Sequence, residues 1–182
     1  MSVMTTNRFV LAAACIATVS LGAVAVSRAD KDRASPHAEV SGSIAGKKIT
    51  ITYGRPYKKG RDIWGGLVPW DKVWRTGADE ATTLTTDGDI HIGTLKVPKG
   101  SYALFTIPSQ KKAWELIVNK NPKQWGAFKY DPKEDLGKTE MKTGSGAEPV
   151  EQLTITIDPN GPKAALLKIA WDDVQARVPI TP

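Results

Sequence analysis

Thr82 to Ile107 reads TTLTTDGDIHIGTLKVPKGSYALFTI, and its punctuation sets the fold class. Thr82 to Thr86 is rich in β-branched residues, which suit a pleated, half-buried surface. Asp87-Gly88 supplies a turn, and the chain returns with Ile90 and Ile92 on one face. Gly93 precedes a further short strand, Thr94 to Val97, and Pro98-Lys99-Gly100 turns the chain again. Ser101 to Ile107 is apolar on both faces, with Tyr102 and Leu104 on one and Ala103, Phe105 and Ile107 on the other. A strand buried on both sides has that pattern.

The same period of two continues outward. Upstream, Lys48 to Tyr53 alternates strictly and places Ile49, Ile51 and Tyr53 together. Downstream, Trp114, Leu116 and Val118 alternate with polar neighbours, as do Leu153, Ile155 and Ile157 with threonines. Asp158-Pro159-Asn160-Gly161 predicts a hairpin into Ala165 to Trp171, and Asp173 to Val178 forms a last strand. About nine short strands with regular turns predict an all-β, antiparallel β-sandwich. Helix is confined to single turns, one capped by Asn121 with Pro122 at its first position and one over 69–74. Residues 127–150 read as a long exposed loop with one short strand near Glu140, and no internal repeat is present.

The N-terminal 29 residues read as an export signal. Arg8 gives a positive start, Phe9 to Val26 is almost wholly apolar, and Ser27-Arg28-Ala29 is a small-x-small cleavage site. Left uncut, the apolar run would be a single membrane anchor, the one membrane contact the sequence suggests. Asp30 to about residue 45 reads as a flexible arm, and 46–182 as one domain. The expected location is the periplasm or the extracellular space. Cys15 is the only cysteine and lies within the signal. The mature protein would therefore hold no disulfide and no cysteine-based zinc site, and its stability must come from a core. The net charge of +6 includes Arg8 and Arg28, and the remaining basic residues are interleaved with acids. No dense basic stripe or nucleic-acid motif is present, so nucleic acid is not an expected partner.

One segment departs from strand periodicity. Tyr53 to Thr82, YGRPYKKGRDIWGGLVPWDKVWRTGADEAT, combines Trp64, Trp70 and Trp74 with Arg55, Arg61 and Arg75 and with Asp62, Asp71, Asp79 and Glu80. The indole rings bury large areas or stack on a flat partner. The guanidinium forks match carboxylates. The segment is either a long loop pinned by internal ion pairs such as Arg75–Glu80 or Arg61–Glu80, or a binding site.

The same segment resembles the DUF2911 family of exported bacterial proteins of unknown function. The resemblance rests on Lys59-Gly60-Arg61, GGLVPW from Gly65 to Trp70, VWRTGADEAT from Val73 to Thr82, PKGSYALFTIP from Pro98 to Pro108, Trp114, Asn119 and QWGAFKY from Gln124 to Tyr130. It covers roughly residues 47–180. The family's usual residues at 64, 70 and 79 are Phe, Tyr and Asn, where this chain has Trp64, Trp70 and Asp79. The resemblance implies a fold and brings no assigned activity and no catalytic residues.

Three functional readings remain open on the residues. The leading one is non-catalytic binding of a polar ligand, a carbohydrate or envelope component, at Arg61, Trp64, Arg75, Asp79 and Glu80. The Arg residues and carboxylates would orient the ligand and Trp64 would stack on it. The second is a hydrolase of envelope or extracellular polymer with Asp79 or Glu80 as acid or base, which needs two convergent carboxylates. The third is a structural or partner-binding protein in which the segment is a folding device. No cofactor and no metal site are expected. His37, in the arm, and His91, between Ile90 and Ile92, are the only histidines, and both read as surface residues. Asp87-Gly88-Asp89 is a turn rather than a calcium loop, since no further ligands follow at the required spacing. No nucleophile elbow, phosphate loop or dinucleotide fingerprint is present. The sequence sets no oligomeric state.

Overall fold

The computed structural model describes residues 33–182. The signal segment and the first residues of the arm lie outside the described residues. The described chain is antiparallel β-structure throughout, in nine strands: β1 (His37–Ile44), β2 (Lys47–Gly54), β3 (Ala78–Thr86), β4 (Ile90–Ile92), β5 (Leu95–Val97), β6 (Gly100–Ile107), β7 (Trp114–Asn119), β8 (Asp135–Pro159) and β9 (Ala165–Thr181). Their order in the sheet is β1-β2-β3-β6-β7-β8-β9-β4-β5, with no closure between β1 and β5. β8 is 25 residues long and belongs to both halves. Its start pairs with β7, and from Lys142 onward it pairs with β9. The sheet folds across β8, so that β1, β2, β3, β6 and β7 pack face to face with the rest.

The core lies between these halves. Val40, Ile49, Ile51, Leu84, Leu104 and Leu116 from one side meet Ile90, Val97, Ile155, Leu167, Ile169 and Val178 from the other. At Gly42 the layers come so close that an added methyl would meet the Ile157 side chain at 2.9 Å. β6 is buried on both faces, as its sequence implies. Tyr102 and Leu104 join the main core, while Ala103 and Phe105 form a second cluster with Ala81 and Ile117.

Two segments differ from the sequence expectation. Residues 37–44, assigned to the arm, form β1 and pair along their whole length with β2. The hairpin turns at Ala45-Gly46, both with positive φ (49° and 79°), which suits the right-handed twist of a two-residue hairpin. Residues 135–150, assigned to a loop, form the first part of β8. Little of that stretch is buried, so it carries no alternation of apolar and polar residues. Its ladder to β9 is interrupted between Ser145 and Val150. The turn after Asn121 is not helical either: the Asn121 side chain accepts from the Lys123 N–H at 3.3 Å in a local turn. A 3-10 turn at Pro132–Glu134 is the one helical element among the described residues.

Candidate functional site

The 55–77 segment is bound to the sheet by backbone hydrogen bonds. Lys58 N–H donates to the Glu151 carbonyl (2.7 Å), Asp71 N–H to Pro108 (2.8 Å), and Trp74 and Thr106 exchange both bonds at 2.8 and 2.9 Å. Its indoles do much of the anchoring. Trp64 packs edge-on against Trp114 with centroids 4.7 Å apart, and also meets Trp70, Trp74 and Trp171. Its Nε1–H donates to the Trp171 carbonyl at 3.3 Å. Trp64 is thus a member of a five-tryptophan cluster joined to the core, with Trp70 at its rim. Trp64 and Trp70 also line an open depression of about 580 Å³ beside Asp62, Asp172 and Asp173.

The arginine forks are spent on carbonyls more than on carboxylates. Arg55 donates to the Leu153 carbonyl and the Thr154 hydroxyl, each at 3.0 Å. Arg61 donates to the carbonyls of Lys58 and Tyr57. Neither Arg61 nor Arg75 forms an ion pair with Glu80 among the described residues, so the expected Arg–Glu80 pin is absent there. The ion pair that ties this loop to the sheet is Lys58–Asp172 at 2.5 Å, and its hydrogen bond holds the Lys58 ammonium above its ordinary pKa.

Arg75 is different. It is partly buried, and its Nε has no hydrogen-bond partner. Burial lowers its pKa, offset by the charge of Asp79. Arg61, Arg75 and Asp79 together line a cavity of about 240 Å³, walled by Trp74, Trp171, Leu67 and Val68. Three of the five sequence-predicted site residues therefore meet at one cavity, and the aromatic surfaces there are Trp74 and Trp171 rather than Trp64.

Asp79 and Glu80 converge where alternation would separate them. Adjacent residues of a regular strand point to opposite faces. Here the β2–β3 register shifts between Thr52 and Gly54, and Asp79 has φ 61°. Asp is among the few residue types that enter the left-handed region with little penalty. Thr76 shares that region with φ 57°, an outlier for a β-branched residue. It is held by hydrogen bonds from its hydroxyl to Trp74 and Thr106 and from the Thr82 hydroxyl to its carbonyl. Backbone strain of this kind costs ~1–3 kcal/mol per residue and concentrates at functional sites. A loop on the far side fixes the segment: Gly126 N–H donates to the Asp79 carbonyl at 3.0 Å and Ala81 N–H to Gln124 at 2.9 Å.

Both carboxylates reach His37, a residue that sequence reading left on the surface of the arm. His37 Nε2 is 3.0 Å from Glu80 Oε2 and 3.8 Å from Asp79 Oδ2. Arg33 Nη1 also lies 3.2 Å from Glu80 Oε2. Register explains the meeting. His37 on β1 faces Gly54 on β2, which faces Ala78 on β3. Gly54 has no side chain to stand between them, and an added methyl would overlap the Ala78 carbonyl oxygen. A second cavity, about 250 Å³, opens beside His37, Glu80, Tyr53 and Thr83. The signal that would have revealed His37 is the alternation of Ala38 and Val40 just before the Ala45-Gly46 turn, read as a strand rather than an arm.

This chain of features falls within one family's sequence model, which matches residues 35–180. The chain belongs to the DUF2911 family. That family is described as proteins of unknown function, so membership fixes kinship and leaves the activity to the site. Among curated proteins and solved structures, nothing matches the chain. In DUF2911 terms, the VWRTGADEAT motif encloses the strained Thr76–Asp79 turn and both carboxylates, and the QWGAFKY motif supplies the loop that clamps them.

Proposed function

We propose that this protein is a binding protein for a small polar ligand carrying a carboxylate or similar anionic group, held in the cavity of Arg61, Arg75 and Asp79. One observation carries the reading. Arg75 is a partly buried guanidinium at the wall of a cavity it shares with Asp79, and its buried Nε–H has no hydrogen-bond partner. A buried N–H without an acceptor is costly within the chain, and a bidentate anion is the partner a guanidinium fits best. Arg61 adds a second positive group, Asp79 an acceptor for ligand hydroxyls or amines, and the indoles of Trp74 and Trp171 an apolar wall. An acidic sugar or a peptide carboxylate of an envelope polymer has this chemistry, in keeping with the export that the sequence of residues 1–29 leads us to expect. Hydrolysis by Asp79 or Glu80 has less behind it, because Glu80 is engaged by Arg33 and His37.

The test uses the tryptophan cluster as a reporter. Acidic monosaccharides and peptidoglycan fragments are titrated into the mature protein and indole emission is followed. A ligand should perturb the emission, and Arg75→Gln should weaken binding at least tenfold with the fold intact. If no such ligand binds and Arg75→Met melts at a higher temperature than the parent, Arg75 is a structural residue and the reading fails.

A further inference from the structure

Sharing Asp79 with the arginine cavity is a donor set of another kind, and we infer that His37, Asp79 and Glu80 bind a first-row divalent cation of the zinc class. One imidazole nitrogen and two carboxylate oxygens lie within 4.8 Å of one another. Around a tetrahedral zinc, donors at ~2.0–2.2 Å stand about 3.3 Å apart. The His37–Glu80 and His37–Asp79 separations of 3.0 and 3.8 Å bracket that value, and the two carboxylates lie within 4.8 Å of each other. The nitrogen donor selects against magnesium and calcium, which take oxygen ligands. Three protein ligands leave a coordination position open, and the cavity beside His37 and Glu80 gives it access to solvent.

The backbone supports the same set. Two adjacent carboxylates reach one histidine only because Asp79 departs from strand geometry and Gly54 removes the intervening side chain. Arg33 Nη1 lies 3.2 Å from Glu80 Oε2 and 3.1 Å from His37 Nε2 and acts as a competing cation, so a metal ion displaces both contacts. Asp79 is common to this set and to the anion cavity, but the inference requires neither Arg61 nor Arg75.

The experiment takes mature protein stripped with EDTA and measures Zn²⁺ binding by calorimetry and Co²⁺ binding by visible absorption. One equivalent should bind, with a ligand-field spectrum of low symmetry. His37→Ala and Glu80→Gln should each weaken binding at least tenfold, Arg33→Ala should strengthen it, and His91→Ala should leave it unchanged. Glu80→Gln keeps the side chain's shape, so it remains informative if His37→Ala disturbs β1. Binding unaffected by Glu80→Gln, or no Zn²⁺ or Co²⁺ binding at millimolar metal, overturns the inference. Failure here leaves the anion cavity standing, since neither Arg61 nor Arg75 belongs to the donor set.

Discussion

At Gly54 a methyl group would overlap the Ala78 carbonyl oxygen, and the obstruction is backbone, which cannot rotate away. Gly77, next to the opposing Ala78, is also tight: a Cβ there would lie 2.9 Å from the Gly54 carbonyl oxygen. The two glycines let β2 and β3 pass at the point where the register shifts. Gly54→Ala should therefore cost ~1–3 kcal/mol by overpacking, measured by chemical denaturation. It should also push β3 from β1 and weaken cation binding at His37, Asp79 and Glu80. An unchanged denaturation midpoint would show that the strands separate freely and that Gly54 does not hold the geometry. Neither consequence is legible from a single glycine in a sequence, because nothing local marks which strand will lie beside it.

At the scale of elements, the β1–β2 hairpin turns on Ala45 with φ 49°. Non-glycine residues in the left-handed region cost roughly 1–2 kcal/mol, and Asn bears that conformation better than Ala. Asn-Gly is the favoured pair for this two-residue turn. Ala45→Asn should therefore stabilise the protein by about 0.5–1 kcal/mol, seen as a higher denaturation midpoint with unchanged slope. The same position explains why β1 escaped sequence reading: Ala-Gly is a weak turn signal, and Gly42 interrupts the alternation of Ala38, Val40 and Ile44. The strands with firm alternation, β2, β6, β7 and the second half of β8, were legible because each has one continuous face in the core. The first half of β8 has almost nothing buried, so pairing with β7 and β9 alone defines it. The site was half legible for a related reason. Composition singled out Arg61, Arg75, Asp79 and Glu80, but His37 comes from a strand 42 residues before Asp79 and is placed by register alone.

Across the whole molecule, three phenols hold hydrogen bonds as neutral groups, one of them between the two layers. Tyr53, on β2, accepts the Ile155 N–H at 2.9 Å and so links the two layers through the core. Tyr102 donates to the Pro98 carbonyl at 2.9 Å, and Tyr130 donates to Asp135 Oδ2 at 2.7 Å while packing on Phe105. Burial raises the pKa of all three. For Tyr130 the hydrogen bond and the charge of Asp135 raise it further, and for Tyr102 the charge of Asp89 does so. In the unfolded chain a phenol ionises near pH 10. The folded state therefore keeps protons that the unfolded state releases. The stability this contributes is complete below about pH 10 and is lost as pH rises through the higher folded values. Lys58, raised by Asp172, acts with the same sign, since its ammonium is favoured by the fold. Denaturation midpoints should hold steady to about pH 9 and fall as the pH passes 10 and beyond. Tyr130→Phe should reduce that fall, because its phenol and the Asp135 charge no longer oppose ionisation. Ultraviolet titration of the native protein should show these phenols ionising above the ordinary phenol value near pH 10. Their ionisation near pH 10 in a protein that stays folded would mean that the fold does not depend on neutral phenols.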